Sequence, residues 1–218
     1  MDRCEIISSC AMRPLADFIP EIVARVPKLF DEVAAHYVRE AAIEFAQRAK
    51  VLRQIITVDL QAGVSDVLLE PDCGMHVVSI HKLCADCDCA QHYELIPGRP
   101  CGIACDGASV WFVPPTTLSI SPSPRVDREG AFWALVSVAP DRDACELPEI
   151  LYQRYSDRLV VGALSKIHLM KGEAWYDAPL ADRMEKKFNA GVTVAALDRL
   201  TGHGMGPFPM KPRTGRIV

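Results

Sequence analysis

The sequence has no apolar run near the ~20 residues that a membrane-spanning helix needs, so no such helix is expected. It has no excess of base: 24 Lys and Arg stand against 28 Asp and Glu, a net charge of −4. A generally basic nucleic-acid binder is disfavoured, while a local basic patch stays open. The start, Met1-Asp2-Arg3-Cys4-Glu5, lacks the charged region, apolar stretch and cleavage site of a secretory signal, and the expectation is a cytosol-like compartment. No GxSxG, HExxH, GxxxxGK[ST] or strand-led GxGxxG is present, so the common hydrolase, metalloprotease and nucleotide-binding signatures are missing. Internal repeats and long low-complexity segments are missing too. Low hydrophobicity is also missing, since half of the residues are hydrophobic and 24 % charged, which excludes a disordered chain. The 218 residues suit one domain, or one domain with a sizeable insertion.

Cysteine is plentiful, with nine in the chain. The odd number, the absent export signal and the adequate chain length favour reduced thiols over a disulfide framework. Cys84, Cys87, Cys89, Cys101 and Cys105 cluster, with Cys73, His76, His81 and His92 nearby. Zinc takes four Cys or His ligands, often in close pairs, and Cys84 with Cys87 plus Cys101 with Cys105 fit that demand loosely. The second pair has CxxxC spacing and Cys89 has no role, so these four are weak candidates and the expected metal content is none. The competing explanation, and the preferred one, is a turn-rich loop that tolerates reduced cysteines. Between residues 73 and 105 only Lys82 and Arg99 are strong bases, which argues against nucleic acid there. A thiolate beside His76, His81 or His92 is the enzymatic alternative.

The chain divides into zones: 1–50 helical, 51–140 strands and turns with the cysteine-rich loop, 141–200 helical again, and a tail at 201–218. In the first, Phe18, Ile22 and Val26 fit a short helix limited by Pro27. Asp31 offers an N-cap. Val33, Tyr37, Val38, Ala41, Phe45, Ala49 and Leu52 then recur at helical spacing. Glu44 and Arg48 make a favourable i,i+4 pair on the other face. The middle zone changes period: short β-branched runs at 55–58, 64–69, 76–80, 109–113, 117–120 and 131–138 alternate with turn residues, as in an antiparallel meander or small sandwich. In the strongest run Phe132, Ala134, Val136 and Val138 share one face, and Trp133, Leu135 and Ser137 the other. In the third zone Pro148 suits a first helical turn. Leu151, Tyr155, Leu159, Gly162, Ala163, Ile167 and Met170 form a stripe. Gly172 suits a helix stop, and Asp177 with Pro179 starts a further helix through Leu180, Met184, Phe188, Val192 and Ala195. Two long helices so connected should pack antiparallel. Ala41, Ala42, Gly162 and Ala163 are small enough for close helix or subunit packing.

The fold class that follows is α+β: an antiparallel helical bundle with an inserted antiparallel β meander or small sandwich and an extended C-terminal arm. The arm contains Lys211, Arg213 and Arg216 and no acid, with Phe208, Met210 and Ile217 as apolar anchors and Pro207, Pro209 and Pro212 forbidding a helix. Gly202-His203-Gly204-Met205-Gly206 reads as its hinge. His36 and His168 fall on helices as surface or satisfied boundary residues. Asp141, Asp143 and Glu146, ahead of a helix, are explained by its dipole.

The whole pattern resembles the head-to-tail adaptor, or connector, proteins of tailed bacteriophages. The residues that carry the likeness are Phe18-Ile19-Pro20-Glu21-Ile22, Val26-Pro27, the helix at 38–48, the segment 56–64, Gly98-Arg99-Pro100, Leu147-Pro148-Glu149-Ile150-Leu151, the segment 156–164 and Pro179-Leu180-Ala181. The resemblance implies a non-enzymatic structural virion protein without cofactor. It implies a homo-oligomeric, dodecameric ring under the portal at the head–tail junction, assembled in the host cytoplasm. Its partners would be the portal and a downstream tail or nozzle protein, with DNA passing through the channel without sequence-specific binding. Phe208, Met210, Lys211, Arg213, Arg216 and Ile217 would then be the portal-binding residues of the arm. The cysteine-rich insert departs from the family pattern. The alternative it keeps open is a zinc-stabilised regulatory or nucleic-acid-binding module.

Overall fold

A computed structural model describes residues 11–71, 74–85, 101–103, 108–113 and 115–201. Helix α2 (Asp31–Ala49) follows a turn through Lys28, whose φ is 73°. Phe30 is its N-cap residue, with extended backbone, and the Phe30 carbonyl accepts from the Val33 and Ala34 amides at 3.0 Å. Asp31 is therefore not the cap that the sequence promised. It lies inside the first turn with Glu32, where two carboxylates meet the positive end of the helix dipole. The buried stripe is Ala34, Val38, Ala41, Ala42, Phe45, Ala46 and Ala49. Because it is mostly alanine, a neighbouring backbone can come close.

That neighbour is α3 (Glu149–Ile167), preceded by the N-cap residue Pro148, which is outside the helix rather than in its first turn. Lys166 reaches Glu40 at 3.5 Å and Glu44 at 3.2 Å, Gly162 lies against Ala41, and the Phe45 and Tyr155 rings are 5.0 Å apart. The contacts run in opposite sense along the two helices, so α2 and α3 are antiparallel. Helix α4 (Ala178–Thr201) then returns along α3. Its N-cap is Asp177, whose Oδ1 accepts from the Leu180 amide and whose carbonyl accepts from the Ala181 amide, each at 2.9 Å. The Asp177 amide bonds to the His168 carbonyl, Phe188 meets Gly162, and Gly191 meets Arg158, again an antiparallel ladder. A short helix α1 (Ile19–Val23), entered from a 3-10 turn at Leu15–Phe18, adds Phe18 and Ile22 to the same core.

The strands form antiparallel pairs throughout the described residues. In one sheet β8 (Arg128–Pro140) lies between β2 (Arg53–Leu60) and β4 (Met75–Ala85). A later strand has inserted between two earlier ones, so this sheet is not the meander that strand spacing suggested. In the second sheet β3 (Asp66–Leu68), β7 (Thr117–Ser121), β6 (Ala108–Val113) and β5 (Cys101–Ile103) follow in that order. Phe132, Ala134, Val136 and Val138 of β8 are buried together with Val58, Ile80 and Leu83 and with Val110, Phe112, Leu118 and Ile120 of the second sheet. On the opposite face of β8, Ser137 and Ala139 are also fully buried while Trp133 and Leu135 are half-exposed. Only the C-terminal end of β8 is thus covered on both faces, where the Val138 amide bonds to the Leu52 carbonyl at 3.1 Å.

A small pair of strands closes the fold. β1 (Met12–Pro14) pairs with β9 (Glu146–Pro148). Arg13 then grips Glu149 with both ends of its fork, Nε to Oε2 at 2.7 Å and Nη2 to Oε1 at 2.8 Å. Its other donor reaches Asp17 at 3.2 Å, and the guanidinium lies 4.8 Å from the centre of the Tyr152 ring. Bidentate pairing of this kind fixes geometry as well as adding energy. It ties the described N-terminal end to the start of α3.

Gly162 is the tightest point of the helical layer. A Cβ there would lie 2.6 Å and 2.7 Å from the Phe188 ring and 3.1 Å from the Ala41 Cβ. Gly162→Ala gains about 1 kcal/mol of helix propensity but overpacks a junction where about 1–3 kcal/mol is the usual cost. We expect a net loss of stability for Ala and a larger one for Gly162→Val, read as a lower urea midpoint with unchanged m-value.

Candidate functional site

The residues that the sequence singled out fall in three places. Ala41, Ala42, Gly162 and Ala163 are all buried inside the chain, and Gly162 lies against Ala41 of α2 and Phe188 of α4. They have no surface to offer a neighbouring subunit, so of the two roles expected for them only packing within the chain is open. The cysteine candidates divide between sheets: Cys84 lies on β4, opposite Trp133, and Cys101 on β5, opposite Val110. Cys87 and Cys105 lie outside the described residues, as does the arm after Thr201, with Phe208, Met210, Lys211, Arg213, Arg216 and Ile217. Among the described residues no group of three or more His, Cys, Asp or Glu is placed to hold a metal ion, and no helix is long and apolar enough to cross a membrane. Cys145 is a free, exposed thiol.

The described histidines have structural partners. His76 Nδ1 lies 3.0 Å from Asp141 Oδ1 and its Nε2 is 3.4 Å from Gln47. His168 is buried with its Nδ1 2.8 Å from the Trp175 carbonyl. His36 is exposed, 3.8 Å from Glu40. The acids ahead of α3 are also employed differently from expectation. Asp141 serves His76, and Glu146 belongs to β9. The carboxylate in the first turn of α3 is Glu149, held below the usual carboxylate range chiefly by its hydrogen bonds from Arg13.

His81 is different. Its Nε2 hydrogen-bonds with the Ser137 hydroxyl on the covered end of β8. Burial, together with Arg53, Lys50 and Arg199 around it, pushes its pKa from 6.5 to about 4. Protonating the ring would add a fourth positive charge beside three bases, which is unfavourable. His81 therefore stays neutral over the physiological range. It sits where the exit of α2, strands β2 and β4 and the end of α4 converge.

A further feature is a groove of about 300 Å³ beside α3 and α4, lined by Arg154, Asp157, Arg158, Val161 and Lys187. Arg154 and Arg158 are one helical turn apart, and Val161 continues the same face. Lys187 faces them from α4. Among the described residues Arg154, Arg158 and Lys187 form no salt bridge. Sequence reading missed this groove because its residues are ordinary surface charges until α4 folds back on α3. The single cue was Gly191: a Cβ there would lie 2.8 Å from Arg158 Nη1, so the glycine leaves room for the arginine to lie across α4.

The His81 environment gives a pH test. A depressed folded pKa means stability that is complete above the unfolded value of 6.5 and is lost as pH falls toward about 4. His81→Gln should flatten the stability profile between those limits and leave it unchanged above pH 7. Parallel denaturation curves of the two proteins across that range check it; identical slopes would contradict it.

No protein-family model matches the chain, and no curated protein matches it.

Proposed function

We propose that this chain is a structural head-to-tail adaptor: a homo-oligomeric ring that docks under a phage portal and links the DNA-filled capsid to the tail. The observation that carries the reading is the order of the segments that resemble the adaptor family, set against the elements they occupy. Phe18 and Ile22, then Val38, Ala41, Ala42 and Phe45, then Val58 and Leu60, then Leu147, Leu151, Leu159 and Ala163, all belong to one buried core. The likeness therefore rests on residues that specify a fold, in the sequence order in which the fold uses them.

On this reading the finer architecture is a helical bundle from 1–50 and 141–200, interrupted by the β insertion at 51–140 and continued by the arm at 201–218. The ring matches the portal's dodecameric symmetry, sits at the head–tail junction of the virion and passes DNA without reading its sequence. Net negative charge suits a channel that must not hold DNA tightly. The arm leaves α4 through Gly202, Gly204 and Gly206. Its prolines hold it extended and so lower the ordering cost of docking. Phe208, Met210 and Ile217 enter apolar pockets on the portal, while Lys211, Arg213 and Arg216 orient the arm against acidic portal residues. Repetition around a ring turns weak arms into strong avidity.

Deleting residues 203–218 tests this. The truncated protein should fold with an unchanged circular dichroism spectrum and should fail to join portal rings in negative-stain images, where the full chain forms a second ring below the portal. Equal attachment by both would remove the arm from the function. No attachment by the full chain would remove the function itself.

A further inference from the structure

Phe30 is the most exposed large apolar side chain among the described residues, at 73 %. It projects at the N-terminal end of α2 from the turn through Lys28, and exposed Asp31 and Glu32 follow it in the first helical turn. A lone exposed apolar residue needs no explanation. An aromatic ring flanked by two carboxylates is a more specific object: an apolar knob with a negative collar. Lys28 is the one base in residues 28–32, whose summed charge remains negative.

The groove beside α3 and α4 has the opposite character. Arg154, Arg158 and Lys187 surround Val161, and Asp157 is the one acid among the lining residues. This is a net positive concavity with an apolar wall on a chain of net charge −4. The two surfaces lie toward opposite ends of the helical layer. Phe30 stands about 16 Å along α2 from Ala41 in one direction. Arg158 and Arg154 lie about one and two turns from Gly162, the residue that touches Ala41, in the other. A chain cannot fill its own groove with its own knob.

We propose that Phe30, Asp31 and Glu32 of one copy dock into the Arg154–Arg158–Lys187 groove of a second copy of this chain. The ring packs on Val161 and the carboxylates pair with the guanidinium and ammonium groups. Because knob and groove are different patches, the contact is heterologous: each added copy presents a free knob and a free groove, and copies join head to tail. The contact supplies the subunit interface of the assembly proposed above and rests on that reading for its role.

Reciprocal charge reversal tests it. One variant carries Arg158→Glu and Lys187→Glu, the other Asp31→Lys and Glu32→Lys; Phe30→Ser serves as a single-site control. All alter exposed or half-exposed side chains, and circular dichroism verifies folding. In sedimentation velocity over a concentration series, wild type should self-associate, and each variant alone should do so at least about tenfold more weakly. Mixing the two reversed proteins should restore association, because each then offers the charge the other needs. Three results would overturn the contact: a wild type that is monomeric at every concentration, reversed variants that associate like wild type, or a mixture no stronger than its parts. Portal mixtures separate this from the adaptor reading. Wild-type oligomers that never join portals end the adaptor function and leave the contact standing. Reversed variants that still build normal rings on portals end the contact and leave the adaptor function standing.

Discussion

The meeting of Gly162, Phe188 and Ala41 governs the rest of the helical layer. At this point three helices approach so closely that the absent Cβ of Gly162 is occupied by an aromatic ring. Phe188 is held there by Phe45, 6.1 Å away, and Phe45 in turn by Tyr155. The alanine stripe of α2 is the same constraint seen from the partner helix. Larger residues at positions 41, 42, 46 or 49 would separate α2 from its neighbours and leave cavities around the three rings. Close approach also sets the surface ion pairs, since Lys166 reaches Glu40 and Glu44 only while α3 lies flat on α2.

Much of this was legible in the sequence because it is local and periodic. The stripes of α2, α3 and α4 repeat at helical spacing, and Asp177 with Pro179 has the chemistry of a helix start. The alternation of Phe132, Ala134, Val136 and Val138 names the core face of β8. What was not legible depends on residues far apart in the chain. Arg13 and Glu149 are 136 positions apart, and nothing near either announces the other. The insertion of β8 between β2 and β4 is a choice among pairings that all satisfy the same alternation. Asp31 has good capping chemistry yet lies one residue too late, because the left-handed turn at Lys28 starts the helix after Phe30. The candidate sites fared similarly. Cys84 and Cys101 are near in sequence but lie in separate sheets, and the basic groove exists only after α4 has returned.

Charge is distributed by a consistent logic. Carboxylates stand at the N-terminal ends of α2 and α3, where the helix dipole favours them. Arg13 is spent on Glu149, so the acid that opens α3 is satisfied by a base from the opposite end of the described chain. Lys50, Arg53 and Arg199 gather instead around His81, and the protein answers by keeping that imidazole neutral. A further positive charge is therefore disfavoured where α2, the first sheet and the end of α4 converge.

Core and surface answer to different demands. Residues such as Ala41, Phe45, Gly162 and Phe188 are fixed by the space available to them, and any chain with this helical layer must meet similar limits. Phe30, Arg154 and Lys187 are under no such limit: their side chains reach water, and the fold would form without them. A buried alanine stripe can explain how three helices pack, but it presents nothing to the surface. The surface keeps its own chemistry where an apolar ring remains exposed, and where three bases face one acid across a groove that the fold itself leaves open.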